Sequence, residues 1–258
     1  MNRITDLFDK KNKGILSVYF TAGFPHLDDT GAIIEALAAQ GVDMAEIGIP
    51  FSDPMADGET IQNSSQTALK NGMTLTKLFK QLKDIRQSVH IPLVMMGYLN
   101  PIMQYGIENF CRDCAATGID GVIIPDLPFA DYLQDYKPVA DRYDLKFIML
   151  VTPETSEERI RRIDEQTSGF IYMVSTAATT GVQNSFDPQT LDYFRRIDAM
   201  GLRNPRLIGF GISNRATCTA AQAAANGAIV GSGFIKALAA SPDDIPQAVA
   251  NLLGQLRK

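Results

Sequence analysis

The chain has 258 residues, 45% of them hydrophobic and 21% charged, with a formal net charge of −5 at pH 7. These figures fit a globular protein with a large core and exclude a disordered chain; the acidic balance, with no local Lys/Arg cluster, gives no electrostatic reason to expect nucleic acid or a membrane surface as partner. The three cysteines, the absence of any apolar stretch of membrane-spanning length and the charges within residues 1–8 point to a cytoplasmic protein.

From the N-terminus onward, short β-branched runs alternate with amphipathic helical patterns. The runs cover residues 15–21, 44–49, 93–98, 121–126, 146–151, 170–175, 206–211 and 228–233. Between them, helical periodicity is clear in residues 28–40, with Ile33, Ile34, Leu37 and Ala38 on one face, and in residues 106–117, with Ile107, Phe110, Cys111, Cys114 and Ala115. Gly41, Gly72, Gly118 and Gly227 close helical stretches. Strands apolar on both faces, each followed by a helix, make a parallel sheet covered by helices. An open doubly wound sheet would also alternate, but its Gly-x-Gly-x-x-Gly turn is missing after the first strand, where Thr21-Ala22-Gly23-Phe24-Pro25 stands. Eight βα units predict a (β/α)8 TIM barrel of α/β class, residues 1–258 forming one domain. Extra helices are expected at the N-terminus, in the long interval 50–91 between strands two and three, and after strand eight. The interval 176–205 after strand six is also long, and both intervals are candidate lids over the active-site face.

Residues 46–62 read EIGIPFSDPMADGETIQ, which places Glu46 inside an apolar strand and Asp53, Asp57 and Glu59 in the loop that follows. A buried carboxylate costs several kcal/mol unless paired or protonated, so Glu46 either holds a structural partner or is an acid with a raised pKa. Asp57 stands on a wetter loop, and two carboxyls in unlike environments suit proton shuttling. Strands seven and eight end in Gly209-Phe210-Gly211-Ile212-Ser213 and Gly231-Ser232-Gly233-Phe234, the second running into a short helix at residues 234–239. Glycines let backbone N–H groups approach an anion, and phosphate sites recur at this place in barrels, although glycines also simply end strands.

Other chemistries lack their residues. Lys137, Lys146 and Lys236 are not at catalytic strand ends, which disfavours a Schiff base, and His26 and His90 do not make a metal cluster, so no metal is expected. Cys111-Arg-Asp-Cys114 has no second cysteine pair and falls on the apolar face of a helix, so it reads as core. Carboxylate acid–base catalysis on a phosphorylated substrate is what remains. An isomerase of phosphorylated sugars or a non-catalytic binding subunit would share several of these features.

The acidic segment, the GFGIS and GSGFIK strand ends and the spacing of all the strands together resemble the tryptophan synthase alpha-subunit family over essentially the whole chain. That resemblance implies a barrel lyase that cleaves indole-3-glycerol phosphate to indole and glyceraldehyde 3-phosphate in the last step of tryptophan biosynthesis. It implies a beta-subunit partner in an alpha2-beta2 heterotetramer, with pyridoxal phosphate only on that partner and no cofactor here. Position by position, Glu46 matches the acid–base glutamate and Asp57 the aspartate at the indole nitrogen; Gly181, Gly211, Gly231 and Ser232 match phosphate binders. Tyr19, Ile61, Met96, Tyr98, Ile123, Leu150, Tyr172, Thr180 and Phe210 match the substrate pocket, although such residues equally suit a barrel core. Pro50, Phe51, Asp53, Asn100 and Asp126 match the loops that meet the beta subunit, where prolines also merely punctuate turns. Two departures stand out. Where members commonly show SRAGVTG, residues 175–181 read STAATTG, without the arginine and the first glycine; and Tyr19 stands where members often have Phe.

Overall fold

A computed structural model describes residues 2–55, 57–175 and 186–257. Its strands are β1 (Ile15–Thr21), β2 (Met44–Gly48), β3 (Leu93–Met96), β4 (Gly121–Ile123), β5 (Lys146–Val151), β6 (Ile171–Val174), β7 (Arg206–Gly209) and β8 (Gly227–Val230). All pair in parallel in sequence order, and β8 returns to β1 to close the barrel. The expected (β/α)8 architecture is therefore present.

The helices that cover the barrel include α1 (Arg3–Lys10), α2 (Thr30–Ala39), α3 (Glu59–Lys70), α4 (Leu75–Leu82), α5 (Leu99–Tyr105) and α6 (Ile107–Thr117). A short α7 (Phe129–Asp131) runs through a π-turn into α8 (Lys137–Arg142), followed by α9 (Glu157–Gln166), α10 (Pro188–Ala199), α11 (Arg215–Ala224), α12 (Ser232–Ala240) and α13 (Ile245–Arg257). The expected extra helices are α1, the pair α3 and α4 between β2 and β3, and α12 with α13 after β8. Several have side-chain caps: Asn2, Thr74, Ser156, Asp187 and Asn214 each accept from an N–H in the first turn.

Strand parity divides the core in two. Val18, Phe20, Ala45, Ile47, Val122 and Phe147 face outward into the layer shared with the helices. Ile15, Met44, Val94, Ile123, Ile148, Tyr172, Leu207 and Ile229 face inward and fill the barrel. The interior is closed at the N-terminal ends of the strands by α1, whose Ile4 is fully buried in the inner cluster and whose Phe8 ring lies 6.1 Å from that of Phe170. Polar contacts fix this stopper. Asn2 Nδ2 donates to the carbonyls of Asp120 (2.9 Å) and Asp144 (2.8 Å), and the buried Asp120 carboxylate accepts from Arg3 Nη1 (3.1 Å), Arg86 Nη2 (2.6 Å) and the Leu93 amide (2.9 Å).

Several strands stop short of the lengths expected from sequence: β2 at Gly48, β3 at Met96, β4 at Ile123 and β7 at Gly209. The apolar character continues past the ladder because the chain there turns into buried mouth loops. Tyr98 caps α5, and Phe210 takes a left-handed backbone, φ 69°, that no strand contains. Helix α12 begins two residues earlier than expected, at Ser232, so Ser232 lies at the helix N-terminus.

Candidate active site

The C-terminal ends of the strands open onto a cavity of about 1510 Å³ that continues along the last helices to Ala250, Asn251, Gly254 and Gln255. Position on β2 brings Glu46 to it: Met44, Glu46 and Gly48 share the inward face, and Glu46 pairs in register with Tyr19 on β1 and Val94 on β3. The Glu46 side chain is fully buried yet lines the cavity floor. Ser17 Oγ donates to its Oε1 at 2.7 Å, while Oε2 has no hydrogen-bond partner among the described residues. Burial pushes this carboxyl up from 4.5 to about 7, and the Ser17 hydrogen bond opposes the rise. No cation is paired with Glu46 among the described residues. Of the two options left by the sequence, a structural ion pair and an acid with raised pKa, this geometry matches the second.

Asp57 is held where the loop enters α3. Gln62 Nε2 donates to its carbonyl at 2.6 Å and Tyr98 Oη donates to Oδ2 at 3.0 Å. The helix it precedes is tied to β1 by a hydrogen bond between the hydroxyls of Thr21 and Ser64, 2.7 Å. Desolvation raises the Asp57 carboxyl and the Tyr98 hydrogen bond lowers it. Tyr19 lines the same cavity; burial, then the negative charge of Asp57, pushes its phenol up, with Glu46 adding to the rise. Tyr172 is raised in the same way by burial and by Glu46. Both phenols therefore stay neutral hydrogen-bonding groups at neutral pH.

Glycine makes room for both rings. A Cβ at Gly48 would lie 2.1 Å from Tyr19 Oη, and one at Gly209 would lie 2.0 Å from Tyr172 Oη. Tyr172 meets Phe210 edge to face, centroids 6.1 Å apart.

The opposite wall is polar backbone. Gly211, Gly231 and Ser232 line the cavity, with Gly231 capping α12 so that the first amides of that helix face outward from its end. Ser175 Oγ donates to the carbonyls of Gly209 (3.1 Å) and Phe210 (2.7 Å), fixing the turn that carries Gly211.

Thus Glu46, Asp57, Gly211, Gly231, Ser232, Tyr19, Ile61, Met96, Tyr172 and Phe210 share one cavity. Tyr98 reaches it through Asp57 and lines an adjoining cleft with Phe51. Ile123 and Leu150 are not in the lining: Ile123 is fully buried in the inner barrel layer, whereas Leu150 is partly exposed, packs against that layer and pairs in register with Tyr172. Thr180 and Gly181 lie outside the described residues, as do the departures at residues 176–181. Of the residues expected at a partner face, Phe51 is half-buried and Asp53, Asn100 and Asp126 are exposed, whereas Pro50 is buried and presents no side chain there. The cavity also holds Glu59, Glu154, Ser213 and Lys236, which sequence reasoning did not select for it. For Lys236 a signal existed: it is four residues past Ser232, hence on the same face of the helix.

Cys111 and Cys114 are buried core residues of α6; burial pushes the Cys111 thiol up to about 12, and Cys114 lies 3.9 Å from the Met95 sulfur. His26 pairs with Asp29 at 2.9 Å and His90 is exposed ahead of β3; neither lines the cavity. Among the described residues no cluster of three His, Cys, Asp or Glu could hold a metal ion. Nor is any helix among them long and apolar enough to cross a membrane.

Comparison with known proteins gives one answer. The family model for the tryptophan synthase alpha chain matches residues 6–258. Tryptophan synthase alpha chains from Parabacteroides distasonis and Phocaeicola vulgatus are 62% and 61% identical over 258 and 257 residues, in each case covering 100% of both chains. Among solved structures, the alpha chain from Legionella pneumophila aligns with TM-score 0.88 and 31% identity, covering 100% of this chain and 96% of that one. A chain of tryptophan synthase from M. tuberculosis in its aminoacrylate-bound form aligns with TM-score 0.85 and 30% identity over 99% of this chain and 98% of that one. One from the Pyrococcus furiosus tryptophan synthase complex aligns with TM-score 0.86 and 34% identity over 95% and 98%.

Proposed function

The chain belongs to the tryptophan synthase alpha chain family and is a lyase of tryptophan biosynthesis; from that premise we propose how its own residues cleave indole-3-glycerol phosphate to indole and glyceraldehyde 3-phosphate. The observation that carries the proposal is Glu46, a fully buried carboxyl raised to about 7, with one oxygen unpartnered among the described residues, on a residue that lines the cavity.

Retro-aldol cleavage of the bond between indole C3 and C3′ of the glycerol chain moves two protons. One is added to indole C3, which turns the ring into an indolenine with an acidic N–H. The other leaves the 3′-hydroxyl as its oxygen becomes the aldehyde carbonyl and the C3–C3′ electron pair returns to the indole ring. A group that gives the first proton and takes the second ends as it began, and a carboxyl near neutrality can do both. Glu46 has this role. Asp57 accepts a hydrogen bond from the ring N–H and stabilises the positive charge that develops there. Its Tyr98 partner holds the carboxylate in place. Tyr19, Met96, Tyr172 and Phe210 enclose the indole, and Gly211, Gly231 and Ser232 hold the phosphate at the start of α12, where amides and helix dipole favour an anion.

In this reading residues 1–258 act as one barrel domain. It needs no cofactor of its own, pyridoxal phosphate residing on a beta subunit with which it forms an alpha2-beta2 heterotetramer. A cytoplasmic location agrees with three free, buried cysteines.

The test is indole release from indole-3-glycerol phosphate by the purified chain, with and without its cognate beta subunit. Release that rises with the partner is expected. Asp57→Asn and Glu46→Gln should each lower kcat by about 10²-fold or more while sparing affinity for the substrate. A folded chain that binds the substrate and releases no indole in either condition would be a non-catalytic subunit, and the proposal would fall.

A further inference from the structure

The cavity is short of positive charge for the ligand it is proposed to take. Its charged lining among the described residues is Glu46, Asp57, Glu59, Glu154 and Lys236. A phosphate monoester brings between about 1.5 and 2 negative charges at neutral pH, and the N-terminus of α12 offers only about half a charge in return. Carboxylates at the mouth oppose its entry.

Lys236 is the sole cation of that lining among the described residues. On α12 it follows Ser232 by one turn, so both lie on one face of the helix. Helical side chains lean toward the helix N-terminus, which carries the lysine stem back toward Gly231 and Ser232 rather than away from them. The rest of that turn is anchored: Phe234, Ile235, Ala237 and Leu238 are buried, while Lys236 is exposed. Among the described residues no hydrogen bond or ion pair occupies its ammonium.

We infer that Lys236 is a substrate-binding residue whose ammonium pairs with the phosphate held at the start of α12 and sets the preference for phosphorylated over neutral indole glycerols. The inference rests on the lyase reading.

The experiment compares the parent chain with Lys236→Gln and Lys236→Arg in complex with the beta subunit. For Lys236→Gln, KM for indole-3-glycerol phosphate should rise about tenfold, the scale of one charge-assisted hydrogen bond, with the loss falling on KM rather than on kcat. Lys236→Arg should restore most of it, and cleavage of the dephosphorylated indole glycerol should not change. Inorganic phosphate, titrated calorimetrically, should bind Lys236→Gln more weakly than the parent by a similar factor and with a shallower dependence on salt. Equal KM and equal phosphate affinity in Lys236→Gln would overturn the inference and leave the lyase reading intact. A parent chain that releases no indole would overturn that reading, while the phosphate titration would still judge Lys236.

Discussion

Glu46 is a carboxyl placed where water cannot solvate it, with the Ser17 hydroxyl its one hydrogen-bond donor among the described residues. That placement has a thermodynamic signature. Its value in the folded chain, about 7, exceeds the ordinary 4.5, so the folded state holds the proton more tightly than the unfolded state does. Stability linked to this group is full below pH 4.5 and is lost as pH rises toward and through about 7. Glutamine keeps an oxygen for Ser17 and has nothing to ionise. Glu46→Gln should therefore match the parent in urea unfolding near pH 4.5 and exceed it at pH 8, by up to roughly 3 kcal/mol. Equal loss of stability at both pH values would mark the glutamate as a structural element instead. An inactive protein that is more stable than its parent at alkaline pH is what a strained functional group leaves behind when removed. The sequence already carried the essentials here: an acid among apolar β-branched residues is hard to explain as packing. It did not carry the missing partner, because whether a cation lies opposite depends on strands far away in the chain.

At the scale of elements, β1 with β2 and β6 with β7 repeat one device. Tyr19 pairs with Glu46 and its ring lies over Gly48, two residues further along β2; Tyr172 pairs with Leu207 and its ring lies over Gly209, two residues along β7. Each strand ends in a glycine because the neighbouring strand's tyrosine occupies the space a side chain would need. Gly209→Ala would put a Cβ 2.0 Å from Tyr172 Oη and 2.4 Å from its Cζ, so the ring must move. The expected result is a loss of about 1–3 kcal/mol in urea unfolding, the usual range for overpacking, together with a raised KM for the substrate as the indole wall shifts. An unchanged KM would show that Tyr172 does not shape the pocket. The barrel itself was legible because eight β-branched runs alternate with helical stretches and the phosphate-type glycine turns follow the last two runs. The ends of the strands were not legible. Leu93 to Tyr98 reads as one apolar run, yet its ladder stops at Met96, since Tyr98 turns out to cap α5 and reach Asp57. Ile123 shows the converse: a residue's place on the inward face is readable by parity, but its depth below the mouth depends on the stagger of neighbouring strands.

Across the whole molecule, the two ends of the barrel differ in what they can transmit. The N-terminal end is stoppered by α1 and locked by Asp120 with Arg3 and Arg86. At the other end, the surface proposed to meet the beta subunit lies two contacts from the proposed chemistry. The Phe51 ring packs on Tyr98, centroids 5.2 Å apart, and Tyr98 donates to Asp57. Behind them Asp126 Oδ1 accepts from the Leu99 amide at 2.9 Å, joining the Asp126 turn to the first turn of α5, next to the same tyrosine. A partner that packs on Phe51 therefore bears on the donor that holds Asp57, whereas one that touches only the exposed Asp53 does not. Phe51→Ala should lower indole release by the isolated chain only slightly, because Phe51 reaches the site through Tyr98 and the adjoining cleft and does not line the main cavity. At saturating beta subunit, the activation ratio should fall on the order of tenfold, within the range of ordinary coupling between sites. Asp53→Ala should weaken association and leave that ratio intact once the complex is saturated. Spatial adjacency alone does not establish coupling, so the measurement that decides is the ratio of indole release with and without saturating partner for the two variants. If both variants keep the parental ratio, partner binding reaches Asp57 by some route other than Phe51 and Tyr98.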